Sequence, residues 1–476
     1  MHRPHTAYRH RDFLRFLLCR PFFWMLLCLV AEAGLAATTT WLIIEAGRDM
    51  VEKVFLVSDF AWIVGVQSAS YIVGASSWIF AERAGFGAFG RYMLRFARDN
   101  QGRATLLGDK DQRELAEPFL TNEAFHIFFE LVYELEADLK LLFGLLFNAA
   151  VLGLAIDAGL PIVYAAVFTV LLLLQWLVRK PVAAAYLAHQ RSTNRMTAHT
   201  YSAWENIFSG NRYNFRLWHS GFKTRLRDAL AAQIRAILAR EGLATVNGIV
   251  SLVALFAYLA WVAGDNVGNT SLLVALAATL PRQISLSSDM HGLASGWNDL
   301  AAVWTRIGGA CNAMRPAVDA QFEQRIAFDR IHLSSNHNDT QRCSSLQEAL
   351  QLLQQYPIGR LQVRGGNGSG KSSLLAALKT HLGHQAFYWP THDKLAFGFA
   401  VGQSDEDDEE SSVPSGYSSG ERQLRALQEI TQKTQASVYL LDEWDANLDA
   451  RNRTAAEALV QQLATRALVV EISHRG

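Results

Sequence analysis

Cysteine is scarce, four residues in 476, and Cys19, Cys28, Cys311 and Cys343 form neither a CxxC pair nor a metal-ligand spacing with histidine. That excludes a small disulfide scaffold and argues against a structural zinc held by thiolates. Charge is also thin: 18% of the residues are charged, against about 25% in an ordinary soluble protein, and 44 basic side chains balance 44 acidic ones. A chain that is half hydrophobic and carries no net charge is neither intrinsically disordered nor a polybasic nucleic-acid binder. The neutrality is a sum over unlike parts. Residues 326–476 hold 14 basic and 18 acidic side chains, leaving 30 and 26 in the part before them.

The front part is dominated by long apolar runs, and a helix that spans a bilayer needs about 17–25 mainly apolar residues. Six runs qualify: 21–44, 60–80, 139–156 (starting upstream, near Leu135), 161–178, 244–263 and 270–289. The gaps after the first, third and fifth are short, whereas those after the second and fourth run for 58 and 65 residues. Lys and Arg accumulate on the cytoplasmic side of membrane proteins. The first 20 residues and the two long gaps hold five, seven and eleven basic residues, and the short gaps only Arg48 and Lys53. This bias predicts that the N-terminus and both long gaps lie in the cytoplasm, and the membrane is expected to be the cell inner (plasma) membrane. Residues 88–100 and 224–240 are rich in helix formers, mixed in charge and free of proline, which predicts that spans continue as helices into the cytoplasm. A signal peptide cleaved near Ala31-Glu32-Ala33 is the competing reading of the first run. The apolar segment continues past that point to Ile44, and removal would leave an odd number of spans.

Residues 359–378, GRLQVRGGNGSGKSSLLAAL, read as a strand, a glycine-rich turn and a helix. Gly365, Gly366, Asn367, Gly368, Ser369, Gly370, Lys371, Ser372 and Ser373 contain the pattern G-x-x-x-x-G-K-[ST]. Glycines let backbone N–H groups fold round an anion, the lysine reaches β/γ-phosphates, and the serine hydroxyl suits Mg²⁺. Residues 437–449, SVYLLDEWDANLD, read as a buried strand ending in Asp442, placed to hold Mg²⁺, and Glu443, placed as general base for an attacking water.

Between these motifs lies Tyr417-Ser418-Ser419-Gly420-Glu421-Arg422-Gln423, and near the end Ser473-His474. At this point the chain resembles the ATP-binding cassette superfamily, in particular its exporter-type half-transporters. GGNGSGKS is similar to the Walker A motif, YSSGE to the signature, YLLDE to Walker B, ANLD to the D-loop and SH to the switch histidine. The resemblance implies an all-α six-helix transmembrane domain, residues 1–325, followed by an α/β P-loop nucleotide-binding domain, residues 326–476, facing the cytoplasm. It implies ATP and Mg²⁺ as ligands, with Glu443, His474 and Lys371 in catalysis. Ser418, Ser419 and Gly420 would face the γ-phosphate held by another chain, and Asp449 would couple the two sites. One loop and one signature per chain imply a homodimer.

The chain departs from the family pattern in several places. Tyr417 stands for leucine and Ser419 for the first glycine of the signature, and only 47 positions separate Lys371 from Ser418. An acidic tract, QSDEDDEESS at 403–412, occupies part of that interval. Thr391 stands where the coupling glutamine belongs, with Gln403 as a stand-in. Residues 329–343 lack an aromatic to stack adenine, and Tyr356 lies close to the loop.

Ionisable groups inside spans are costly and face the protein interior or a water-filled cavity. Glu32 and Arg282 fall at similar depths in the first and sixth runs, which predicts a pair, either structural or in contact with cargo. Gln67, Gln283, Asp289 and His291 would add polar walls. LLDEW at Walker B and WENIFSGNRYNFRLW at 204–218 are similar to segments of cyclic-peptide and siderophore-peptide exporters. Peptide export is therefore the expected activity. A nucleotide-sensing membrane protein that does not pump is the alternative, and lipid or drug export or peptide uptake are alternative transport modes.

Overall fold

The computed structural model describes residues 8–54, 57–317, 321–335, 340–390, 395–401, 418–446 and 448–473. The expectations for Thr391, Gln403, Tyr417 and His474, the acidic tract and Asn447 of the D-loop fall outside these residues. In chain order the helices are α1 (His10–Arg15), α2 (Arg20–Glu52), α3 (Val57–Asn100), α4 (Lys110–Pro118), α5 (Ala124–Ala155), α6 (Leu160–Thr200), α7 (Ala203–Phe208), α8 (Arg212–Asp265) and α9 (Thr270–Ala313). There follow β1 (Ile331–Ser335), β2 (Thr340–Arg342), α10 (Leu346–Gln355), β3 (Gly359–Gly365), α11 (Lys371–Leu382), β4 (Ala386–Trp389), α12 (Gly398–Val401), α13 (Ser419–Lys433), β5 (Val438–Asp442), α14 (Ala450–Ala464) and β6 (Leu468–Ile472). Two compact units result. One takes in Tyr8–Tyr92 and Thr121–Cys311; the other joins Met93–Leu120 to the chain from Asn312 onward.

The first unit has membrane character. Among the described residues, five helices are long and apolar enough to cross a bilayer: Arg20–Glu52, Val57–Asn100, Asp111–Ala155, Leu160–Thr200 and Arg212–Asp265. Large apolar side chains lie open along them, including Trp62, Ile72, Leu173 and Leu177, a surface that water would oppose and lipid accepts. The sixth expected run forms the first half of α9, which is long enough but less apolar because Pro281, Arg282 and Gln283 interrupt it. The 88–100 and 224–240 segments are helical and continuous with α3 and α8, as their composition predicts. The short helix α1 was not foreseen. Its Phe13 is buried and stacks on Phe128 with ring centroids 4.2 Å apart, and His10 stacks on Trp304 at 4.8 Å.

Glu32 and Arg282 do not form the expected pair. Glu32 Oε1 lies 2.7 Å from Lys140 Nζ of α5, and Arg282 Nε donates to Asn148 Oδ1 at 3.0 Å. Thr40 Oγ1 donates to the same Asn148 oxygen at 2.7 Å. Thr40, eight residues past Glu32 on α2, therefore marks the level of Arg282, which leaves Glu32 about 12 Å away along the helix.

The second unit is built on a six-stranded sheet of order β2-β1-β3-β6-β5-β4. β3, β6, β5 and β4 run parallel, and β1 and β2 add an antiparallel edge. Strands buried on both faces read as continuous apolar runs, and all five residues of β5 and of β6 are buried. Alternation then sorts their side chains. Val438, Leu440, Leu468, Val470 and Ile472 pack with α10 and α11, whereas Tyr439, Leu441 and Val469 pack with α13 and α14. Residues 93–120 hold the start of this unit. Asn100 Nδ2 donates to Met314 O at 2.9 Å, Arg103 Nη2 to Pro316 O at 2.8 Å, and Ala317 N to Gln112 Oε1 at 3.1 Å.

Candidate functional site

The candidate site lies where β3 and β5 end at the same edge of the sheet, the place at which parallel α/β sheets bind ligands. β3 delivers the chain into the 365–370 turn and α11 carries it away. Gly368 and Gly370 hold φ of +75° and +86°, in the left-handed region open to glycine. A Cβ on Gly370 would lie 2.3 Å from Arg325 O, and one on Gly365 2.7 Å from Arg330 O. The segment before β1 thus presses directly on the turn, and Ala327 N donates to Ser369 O at 3.0 Å. Gly370→Ala is expected to cost about 1–3 kcal/mol through strain and crowding. Thermal unfolding followed by tryptophan fluorescence reads this, and an unchanged melting temperature would contradict the tight packing.

The turn suits an anion. Ser369 is buried and its Oγ has no hydrogen-bond partner. Lys371 Nζ folds back to donate to Gly365 O at 2.9 Å and Gly366 O at 3.2 Å, so its charge sits over the turn. Ser372, one residue into α11, donates through Oγ to Asp442 Oδ1 at 3.2 Å. Two segments 70 residues apart are thereby joined by the pair of oxygens suited to a divalent cation. Among the described residues no trio of His, Cys, Asp and Glu is grouped to hold a metal. A two-oxygen site fits Mg²⁺ completed by water and phosphate oxygens, and does not fit a metal caged by protein alone.

Asp442 is buried at the end of β5, and Glu443 follows with φ of +50°, uncommon for a residue with a side chain. Its backbone is fixed by Glu443 N donating to Ile472 O at 2.9 Å. The next residue, Trp444, is buried and donates through Nε1 to Glu471 Oε2 at 2.8 Å. Arg360 of β3 binds the other Glu471 oxygen at 2.6 Å and also pairs with Glu457 of α14. Burial pushes the Glu471 carboxyl above the usual carboxylate range, against the pull of Arg360 and the Trp444 N–H. This cluster behind Glu443 was not read from the sequence. Tyr388 of β4 was also missed: burial, and then the charge of Asp442, raise the pKa of its hydroxyl. No protein-family model and no curated protein matches the chain.

Ser418 and Asp449, also singled out in the sequence, cap helices. Ser418 is the N-cap of α13, its Oγ accepting from Glu421 N at 3.3 Å while Glu421 Oε2 accepts from Ser418 N at 2.9 Å. Gly420 is buried in the first turn, and Ser418 and Ser419 are exposed. Asp449 caps α14, accepting from Asn452 N at 2.7 Å. Tyr356 packs against the core beside α10.

Proposed function

We propose that the chain is an ATP-driven transmembrane transporter of the ATP-binding cassette exporter type, which works as a homodimer and exports a peptide or peptide-derived product. The observation that carries this reading is the Ser372–Asp442 contact beside a glycine turn, in a chain whose described residues also include five long apolar helices. The N–H groups of residues 366–371 and the Lys371 ammonium bind the phosphates of ATP. Ser372 and Asp442 hold Mg²⁺, which when bound neutralises charge on the phosphates. Glu443 orients the attacking water and accepts its proton, and the family resemblance implies that His474 contacts the γ-phosphate. Ser418, Ser419, Gly420 and Asp449 act on the ATP of the second chain, as the family resemblance implies. At the far end of α6 and α8, Tyr201, Trp204 and Phe208 are widely exposed, an aromatic surface that suits the cassette of that second chain.

The test is ATP hydrolysis by the purified full-length protein. Turnover is expected to require Mg²⁺. Lys371→Ala is expected to weaken nucleotide binding by about tenfold to a hundredfold, since hydrogen bonds from charged groups contribute about 1.5–3 kcal/mol. Unchanged nucleotide affinity in this variant would sink the assignment. The sensor alternative draws on one feature: among the described residues between β4 and α13, the only helix is the four-residue α12. ATP binding without any hydrolysis, with or without cargo in liposomes, would favour it. Cargo identity is best approached through secretion: loss of an exported peptide from cells that lack the protein supports export.

A further inference from the structure

Arg282 lies in the first half of α9, twelve residues past Thr270 and so about 18 Å along the helix. A charge at that depth in an apolar run is costly, and is kept where it meets a partner or a water-filled cavity. One edge of its guanidinium is held by the protein. Nε donates to Asn148 Oδ1 at 3.0 Å, and Asn148 is itself fully buried and fixed at its other end, where Nδ2 donates to Gly144 O at 2.8 Å. Thr40, also buried, donates to the same Asn148 oxygen. The other edge is free: among the described residues, Nη1 and Nη2 make no hydrogen bond and no ion pair. Asp289, whose charge acts on Arg282, stands two turns further along α9 and does not bond to it.

A second observation concerns the surface around that edge. Through this stretch α9 leaves Ala277, Ala278, Pro281 and Ser288 open, with Ser285 half-buried one turn from Arg282. Leu280 and Ile284 are the large apolar side chains exposed there, whereas α3 and α6 expose Trp62, Ile72, Leu173 and Leu177. Bulky apolar side chains suit lipid; a face composed mainly of small and polar groups suits water and a polar ligand. Pro281 has no N–H to give to Ala277 O, four residues back on the same open face, which leaves a carbonyl able to accept an N–H from outside the helix. A guanidinium held through Nε and open at both Nη groups presents paired N–H donors that match the two oxygens of a carboxylate.

We propose that Arg282, oriented by Asn148 and Thr40, is a cargo subsite for a carboxylate: its Nη1–Nη2 edge takes the two oxygens of a carboxylate on the exported peptide, and Ala277 O accepts an N–H of the same molecule. The inference rests on the export reading and gives it a substrate class, peptides that carry a free carboxylate. The test uses full-length protein in lipid nanodiscs and three peptides labelled with a fluorophore at the N-terminus: Gly-Phe-Gly-Phe-Gly as the free acid, the same peptide as the C-terminal amide, and Gly-Phe-Glu-Phe-Gly amide. The free acid is expected to bind at least about tenfold more tightly than its amide. The glutamate peptide tells the two sources of the group apart: binding like the free acid assigns a side-chain carboxylate, and binding like the plain amide assigns the peptide terminus. Arg282→Gln should remove the preference by lowering the acid's affinity about tenfold, and Arg282→Lys, which keeps the charge without the fork, should retain part of it. Equal binding of all three peptides by the unaltered protein overturns the proposal, as does a preference that survives Arg282→Gln. Equal binding together with loss of the dimer in Arg282→Gln, read by light scattering, would assign the open edge to a second copy of the chain instead. ATP hydrolysis by the unaltered protein is measured on the same sample. Turnover without peptide discrimination overturns the subsite alone, whereas discrimination without turnover supports the subsite and sinks the pump.

Discussion

Glu443→Gln is expected to cut ATP turnover by about a hundredfold or more while nucleotide binding persists, because a positioned general base contributes about 10²–10⁴ in rate. The substitution keeps the size of the side chain and removes its ability to take a proton. It also leaves the backbone anchor intact, since Glu443 N still donates to Ile472 O. Steady-state phosphate release and binding of a fluorescent ATP analogue check the two halves separately. Unchanged turnover would move the base to another residue; loss of binding would mean that Glu443 organises the turn.

Glu471→Leu is expected to destabilise the C-terminal unit by about 3–5 kcal/mol, because it leaves a buried guanidinium without its buried partner. Arg360 has only 12% of its side chain exposed, and Glu457, its other partner, is half open to solvent. The same change removes the acceptor of the Trp444 N–H, next to Glu443, so turnover should fall along with stability. Replacing both members of the pair, Arg360→Met with Glu471→Leu, is expected to recover much of the lost stability. The reason is that an apolar pair of similar volume has no charge to desolvate and leaves neither member unpaired. Thermal unfolding of the single and double variants checks this, and a double variant no better than the worse single one would contradict it.

How much was legible in the sequence depends on how locally each feature is encoded. The turn and α11 are contiguous, so strand, glycines, lysine and helix could be read in order, and the left-handed Gly370 falls where the pattern puts glycine. The capping role of Ser418 was not drawn from the sequence, although Glu421 three residues on forms the capping box. Arg360, Trp444 and Glu471 come from three separate segments, and nothing in any one of them announces the other two. The misplaced Glu32 partner has a similar cause. Counting residues along a helix gives depth, but the neighbour at that depth depends on which helix lies alongside, and α5 rather than α9 supplies it.

The sequence by itself determined the apolar runs, the continuity of α3 and α8 beyond them, and the motifs at Gly365–Ser373 and Asp442–Glu443, because period, composition and short spacing are properties of the chain before it folds. Only the tertiary structure decided that Met93–Leu120 belong with the C-terminal unit, that Ser372 meets Asp442, and that Glu471 holds Trp444 next to Glu443. Each of these depends on side chains from distant segments arriving at one place, and a hydrogen bond or a buried charge has no meaning until its partner is there.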